Sequence, residues 1–216
     1  MPPWNPLLPW SYSKLSTYEK CPRQAKYRYI DKRPEPKSRH LERGNEAHAR
    51  MEEWVRGGAK ADTAPTEARK FVGYVAERLP AAIVVEEMWG HDAKWQPTTK
   101  FPWLRAKMDL VFPASHVIVD WKTGKKYDSH EDQGLVYGAT YLMRYDAPKV
   151  EVEFAYLDLG EVTDMTVKRE DLPSIQKDFG QRVATMLSDK EFKPKPSRLC
   201  GWCAFSKTTG GPCEAG

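Results

Sequence analysis

The sequence predicts an α/β fold, a mixed central sheet with helices on both of its faces. Three observations lead there. Helical periodicity fills the chain to residue 79; strand-like runs follow, then a helix, a further pair of runs and a last helix, the order of a layered α/β protein. D-L-V-F-P-A-S-H-V-I-V-D-W-K, Asp109 to Lys122, reads as a β-hairpin: Val111 and Phe112 end one apolar run, Pro113-Ala114-Ser115 turns the chain, and Val117-Ile118-Val119 begins the next. With 40% apolar residues and eight tryptophans in 216, there is enough material to bury a core, and one domain over residues 1–216 is expected.

The elements follow in order. Ser13 can cap a short helix through Lys20. Cys21-Pro22 interrupts it, since proline disfavours helix in the residue before it and suits the first turn of the next, which runs to about Ile30. Asp31 to Lys37, with two prolines, is a loop. A helix from Ser38 or Arg39 stops at Gly57-Gly58; Leu41, Ala47, Met51, Trp54 and Val55 form its apolar stripe, and Gly44 and His48 lie one turn apart on a shared face. Thr66 caps a helix to Leu79, ended by Pro80, with Phe71, Val72 and Val75 inward. Ala82 to Trp89 reads as a strand with Glu86 and Glu87 near its end, and 90–102 as irregular loop. Trp103 to Phe112 and His116 to Lys122 form the hairpin. After a loop over 124–129, a helix from about His130 to Tyr145 places Gln133, Tyr137 and Tyr141 on one face at four-residue spacing. Val150 to Leu159 and Val162 to Val167 form a second hairpin around Gly160-Glu161. A last helix starts at Asp171 or Ser174 and runs to about Leu187, and the tail that follows is loop.

Composition excludes several classes. No apolar run is long enough to cross a membrane, and the proline-broken, uncharged start M-P-P-W-N-P-L-L-P-W is not a signal peptide, so an intracellular protein is expected. The net charge is +4, but residues 14–50 alone carry eleven Lys/Arg against five acids. Basic residues interleaved with Tyr12, Tyr18, Tyr27 and Tyr29 suit a phosphate-backbone footprint; a solvated helix face would read the same way.

The hairpin carries the chemistry. Side chains alternate along a strand, so Asp120 and Lys122 share a face and Trp121 takes the other. If the hairpin brings Asp109 close, two carboxylates and a lysine converge. Two carboxylates in one place repel unless a cation joins them, and a hard cation such as Mg²⁺ or Mn²⁺ fits oxygen ligands. The lysine could then orient or deprotonate a water that attacks a phosphate.

Asp109, followed after ten residues by Asp120-Trp121-Lys122, resembles the core motif of the PD-(D/E)xK nuclease superfamily, and four features in order are similar to its RecB-like, CRISPR-associated-exonuclease-like branch. G-N-E-A-H, Gly44 to His48, is similar to G-x-x-x-H. L-R-A-K-M-D, ending at Asp109, resembles the G-x-x-D strand with Ala106 in place of glycine. D-W-K-T-G, residues 120–124, is similar to D-x-K-T-G, and Q-G-L-V-Y, Gln133 to Tyr137, to Q-x-x-x-Y. The resemblance implies a restriction-endonuclease-like fold and a Mg²⁺- or Mn²⁺-dependent DNA nuclease. It implies His48, Asp109, Asp120 and the Trp121 carbonyl as metal ligands, Lys122 as the group that positions the water, and Gln133 and Tyr137 as its supports. Glu86 or Glu87 could also reach the metal. An exonuclease acting on single-stranded or end-containing DNA is the implied activity; an endonuclease, an RNA substrate, and a non-catalytic DNA-binding or scaffolding protein of the same fold remain alternatives.

The four cysteines are Cys21, then Cys200-x-x-Cys203 and Cys213. In an intracellular protein the C-x-x-C spacing argues for metal rather than disulfide. C-P-R at 21–23 and C-G-W-C at 200–203 are similar to the pattern of CRISPR-associated and AddB-type nucleases. That resemblance implies a [4Fe–4S] cluster joining the N- and C-terminal segments, 1–37 and 189–216; a Cys₄ zinc site is the competing expectation.

Overall fold

The computed structural model describes residues 5–36, 38–79, 83–127 and 129–215. Lys37, Pro80, Ala82 and the first four residues, on which expectations above fall, lie outside them. Helix α1 (Tyr12–Lys20) is capped by Ser11 rather than Ser13: the Ser11 hydroxyl accepts from the Lys14 N–H at 3.4 Å, and Ser13 already lies within the first turn. Cys21 is extended, and Pro22 opens α2 (Pro22–Ala25), which widens into a π-helical turn over Lys26–Ile30. Helix α3 (Arg39–Arg56) buries Ala47, Met51, Trp54 and Val55 as expected. Leu41 does not join them: it is 65% exposed, because Arg39 to Arg43 all project into solvent before the helix meets the sheet. The expected helix from Thr66 is broken in two. Pro65, not Thr66, precedes a 3₁₀ turn (Thr66–Phe71), Phe71 leaves helical geometry at φ −114°, ψ 5° with its ring edge-on to Trp121, and α4 (Val72–Ala76) follows.

Five strands, β1 (Val84–His91), β2 (Leu104–Phe112), β3 (Val117–Lys122), β4 (Lys149–Tyr156) and β5 (Glu161–Lys168), form one sheet in sequence order. All neighbours are antiparallel except β3 and β4, which run parallel with Asp120 opposite Phe154. A parallel pair needs a crossover, and α5 (Ser129–Arg144) supplies it. Helix α6 (Leu172–Ser188) closes the fold, and the tail carries two 3₁₀ turns, Arg198–Trp202 and Lys207–Thr209, where only loop was expected. β1 extends to His91, two residues past the expected end, because His91 still accepts from the Trp103 N–H at 2.7 Å. β4 ends at Tyr156, three residues early, because Tyr156 accepts from the Leu159 and Gly160 N–H groups and the backbone turns at Gly160, φ +68°.

The sheet separates two cores. Residues of α1, α5 and α6, with Trp89, Met108, Ile118, Val152 and Phe154, make one; α3 and α4, with Leu110, Phe112, Val119, Trp121 and Ala155, make the other. The expected mixed sheet with helices on both faces is therefore present. One irregularity matters for the site. Leu104, Ala106 and Met108 pack into the first core, but Leu110 and Phe112 pack into the second. Strict alternation would keep all five on one face. The change of face falls at Asp109, and on the neighbouring strand it falls at Glu86, where the ladder omits the pair between Val85–Leu110 and Glu87–Met108. Glu86 has φ +51°, a left-handed conformation rare for a side chain of its size.

Candidate active site

The catalytic candidates are delivered by five elements: His48 by α3, Glu86 by β1, Asp109 by β2, Asp120 and Lys122 by β3, and Gln133 and Tyr137 by α5. β2 and β3 hold Asp109 and Asp120 as buried carboxylates, 6% and 2% exposed. The Asp109 carboxylate accepts the Trp121 N–H at 2.9 Å, which ties β2 to β3 where their ladder has ended. Helix α3 brings His48 across the sheet: its Nδ1 stands 3.3 Å from Asp109 Oδ2 and 3.9 Å from Glu86 Oε1. His48, Glu86 and Asp109 each offer a ligand atom, all within 4.8 Å of one another. Glu86, not Glu87, is thus the additional acid. Its left-handed backbone turns the carboxylate inward, 5% exposed, whereas Glu87 faces solvent.

The electrostatics match the crowding. Burial opposes a charged His48, but the carboxylates of Asp109 and Glu86 win and its pKa is pushed up to about 10. Burial would raise Glu86; His48 and Lys107 hold it below the usual carboxylate range. Burial raises Asp120 despite the nearby Lys122, and Asp109 adds to the shift. Both oxygens of Glu86 and Oδ2 of Asp120 are buried without a well-directed hydrogen bond, although Lys107 and Lys122 ion-pair with them. Buried oxygens that lack directed donors suit a hard cation, so the residues present fit Mg²⁺ or Mn²⁺.

Lys122 sits beside this acid group. Its Nζ is 2.5 Å from Asp120 Oδ2 and donates to Gln133 Oε1 at 2.8 Å. The Gln133 amide donates in turn to Asp120 Oδ1 at 3.1 Å and to the Tyr137 hydroxyl at 2.8 Å. Burial, reinforced by Asp120 and Asp109, keeps the Tyr137 hydroxyl protonated far above the usual phenol range. Gln133 and Tyr137, one turn apart on α5, therefore fix the lysine from the helix side. α5 can lie this close because Gly134 and Gly138 face β5: a Cβ at Gly134 would meet Met165 Sδ at 2.4 Å. Trp121 contributes its ring to the second core and its N–H to Asp109.

The four cysteines are free and half-buried, and all line one cavity of about 220 Å³ between α2 and the tail. Backbone N–H groups of Lys195 and Ser197 point at the sulfurs of Cys21 and Cys200, each at 3.4 Å. Burial raises the Cys203 thiol, and the other three cysteines add to the shift.

Sequence reasoning missed two things here. Several basic residues of the N-terminal segment are taken up in ion pairs, Lys26 with Asp31, Arg28 with Glu35, Arg43 with Asp158 and Arg50 with Glu67. The cations beside the site come partly from β2, as Arg105 and Lys107, which the alternation Leu104-Arg105-Ala106-Lys107 could have placed on one exposed face.

The sequence model of the PD-(D/E)XK nuclease superfamily matches residues 9–208. No curated protein matches the chain. Among solved structures, that of SSO0001 is 14% identical over 95% of this chain and 85% of its own, with a TM-score of 0.51. A Eubacterium rectale protein, provisionally assigned as an exonuclease, is 15% identical over 89% of this chain and 86% of its own, with a TM-score of 0.55. At such identities these two structures share the fold. The match of the superfamily's own sequence model across nearly the whole length, together with the acid cluster and its lysine, assigns the chain: it belongs to the PD-(D/E)XK nuclease superfamily.

Proposed function

We propose that this protein is a divalent-metal-dependent deoxyribonuclease that hydrolyses phosphodiester bonds, working from the ends of single-stranded DNA. The observation that carries the reading is the meeting of His48, Glu86 and Asp109 beside the Asp120–Lys122–Gln133 network. Asp109, Glu86, His48 and Asp120, with the Trp121 carbonyl, would hold Mg²⁺ or Mn²⁺, the imidazole favouring Mn²⁺. Such an ion supplies charge to stabilise the transferring phosphoryl group and acidifies the attacking water. The protein's own residues do the rest. Lys122 orients the water and offers positive charge where negative charge develops on the phosphoryl oxygens. Gln133 holds the Lys122 ammonium and the Asp120 carboxylate at fixed separation, and the protonated Tyr137 hydroxyl accepts from Gln133 and so fixes its amide orientation.

The cysteines belong to the same reading as a stapling metal centre built from Cys21, Cys200, Cys203 and Cys213. The centre would be a [4Fe–4S] cluster, with a Cys₄ zinc site as the alternative, and N–H groups directed at ligand sulfurs are one way a protein tunes an iron–sulfur centre.

The test is cleavage of end-labelled single strands with Mg²⁺, Mn²⁺ or EDTA. Wild type should release short products from an end with either metal and none in EDTA, and Lys122→Ala should lose cleavage while keeping its fold and DNA binding. Cutting of a circular single strand would make it an endonuclease. Binding without cleavage under every metal would leave a scaffold, and near wild-type cutting by Lys122→Ala would remove the lysine from the mechanism.

A further inference from the structure

A groove of about 890 Å³ runs along α1 and β2 and ends on Gln133 and Tyr137. Lys14, Lys20, Arg105 and Lys107 line it, with the hydroxyls of Ser11, Ser13, Ser16 and Thr17, and no carboxylate is among its lining residues. Lys107 is paired with Glu86. Among the described residues Lys14, Lys20 and Arg105 have no carboxylate at ion-pairing distance, in contrast to Lys26, Arg28, Arg43 and Arg50 elsewhere on the N-terminal segment. Lys14 is anchored instead by donating to the carbonyls of Leu7 and Pro9, at 3.3 and 2.8 Å, which aims a fixed cation into the groove. Its pKa is lowered, by burial first and then by the charge of Arg105, which lines the same groove. Uncompensated cations brought together in a concave, hydroxyl-lined surface call for a polyanion.

The groove also carries an aromatic. Tyr127 is 62% exposed at its edge, with its ring edge-on to His130 at 5.7 Å. A basic track with an exposed ring suits a single strand, whose bases are free to stack; in a duplex the base faces are already covered.

We propose that this groove is the track along which one DNA strand approaches the active site, with Lys14, Lys20 and Arg105 as separate backbone-phosphate contacts and Tyr127 as the platform for a base. The proposal rests on the nuclease reading above and adds where the strand lies. Removal of one phosphate contact lowers the slope of log K against log[salt] by about 0.7 for single strands, and removal of one stacked base weakens binding by about 5- to 150-fold.

The experiment is fluorescence anisotropy of 5′-fluorescein oligothymidylate with the full-length protein in EDTA, so that cleavage plays no part, across a salt series. Lys20→Gln/Arg105→Gln should reduce the slope by about 1.4, and Lys14→Gln by a further 0.7. Tyr127→Ala should weaken binding within the stacking range and leave the slope unchanged. Lys190→Gln, an exposed lysine away from the groove, should change neither. Lys14 supports a loop, so the decisive variant is the Lys20/Arg105 pair, whose side chains make no hydrogen bond to other described residues, with melting temperature checked for each variant. If wild type binds the strand and the Lys20/Arg105 variant melts normally but keeps the full slope, the groove assignment is wrong while the nuclease reading stands. Equal affinity for a duplex of the same length would likewise overturn the single-strand track. If wild type binds no strand in EDTA, the groove assignment is wrong; if it also cleaves none with Mg²⁺ or Mn²⁺, the nuclease reading itself fails.

Discussion

Gly138→Ala tests how closely α5 must lie on the sheet. A Cβ at Gly138 would come 2.5 Å from Val167 Cγ2, 2.6 Å from its Cβ and 3.0 Å from Cγ1. Carbon atoms attract at about 3.5–4.0 Å, so all three contacts are repulsive. Val167 cannot swing aside: it is 1% exposed, β-branched and fixed in β5. α5 must therefore lift. Overpacking of this kind costs about 1–3 kcal/mol, and alanine in place of glycine within a helix returns about 0.8–1.0 kcal/mol, leaving a net loss of about 1 kcal/mol. Gly180 on α6 is the matched control, because a Cβ there meets nothing within 4 Å. Gly180→Ala should gain the helix term without the clash. For a protein of this size about 1 kcal/mol moves Tm by roughly 2–4 °C, so the two variants should separate by about 4–8 °C in opposite directions. Lifting α5 also draws Gln133 away from Lys122 and Asp120, so kcat on single-stranded DNA should fall about ten-fold or more in Gly138→Ala and stay unchanged in Gly180→Ala. A Gly138→Ala protein that melts as high as Gly180→Ala would refute the close-packing argument.

Three further outcomes are expected. Asp109→Ala and Glu86→Gln should each weaken Mn²⁺ binding at least ten-fold by calorimetry, and unchanged affinity in both would remove them as ligands. Cys21→Ser, prepared anaerobically, should lower Tm and lose the bound metal, because ligands gathered from distant segments contribute directly to folding; about four iron atoms per wild-type molecule would identify the cluster, one zinc the alternative, and neither metal with an unchanged Tm would end the staple idea. His130 has its pKa lowered to about 4, by burial and then by the charges of Lys122 and Lys20. The unfolded chain takes up that proton near pH 6.5 and the folded one does not until about pH 4, so stability should fall as pH drops through this window; His130→Gln should flatten the fall in Tm, and identical pH profiles would show that His130 does not contribute.

The parts of the site that could be read in advance are those governed by a simple period. Two-residue alternation places Asp120 with Lys122, and four-residue spacing places Gln133 over Tyr137; both pairings hold in the structure. Glu86 could not be separated from Glu87, because the choice depends on one residue adopting φ +51°, and glutamate carries no local preference for that conformation. The parallel β3–β4 pairing was equally hidden: local hairpin signals report which strands turn back on each other and say nothing of the partner across a helix. Leu41 failed as a stripe residue because periodicity fixes a helix face without telling where along its length the sheet begins. The basic N-terminal segment overstated the charge available for a ligand, since ion pairing with distant acids depends on tertiary placement.

The parallel pairing of β3 with β4 also dictates when the site can exist. Asp120 and Lys122 stand on a strand whose second neighbour is made of residues 149–156, and the helix that steadies them packs against β4 and β5. A polypeptide emerging from synthesis holds His48, Glu86, Asp109, Asp120 and Lys122 well before β4 is available. Until then β3 is an edge strand, and the helix bearing Gln133 has no sheet surface under its glycine face. The site is thus completed only once β4 has been made, and a fragment that stops short of β4 carries the acids and the lysine without the framework that aligns them.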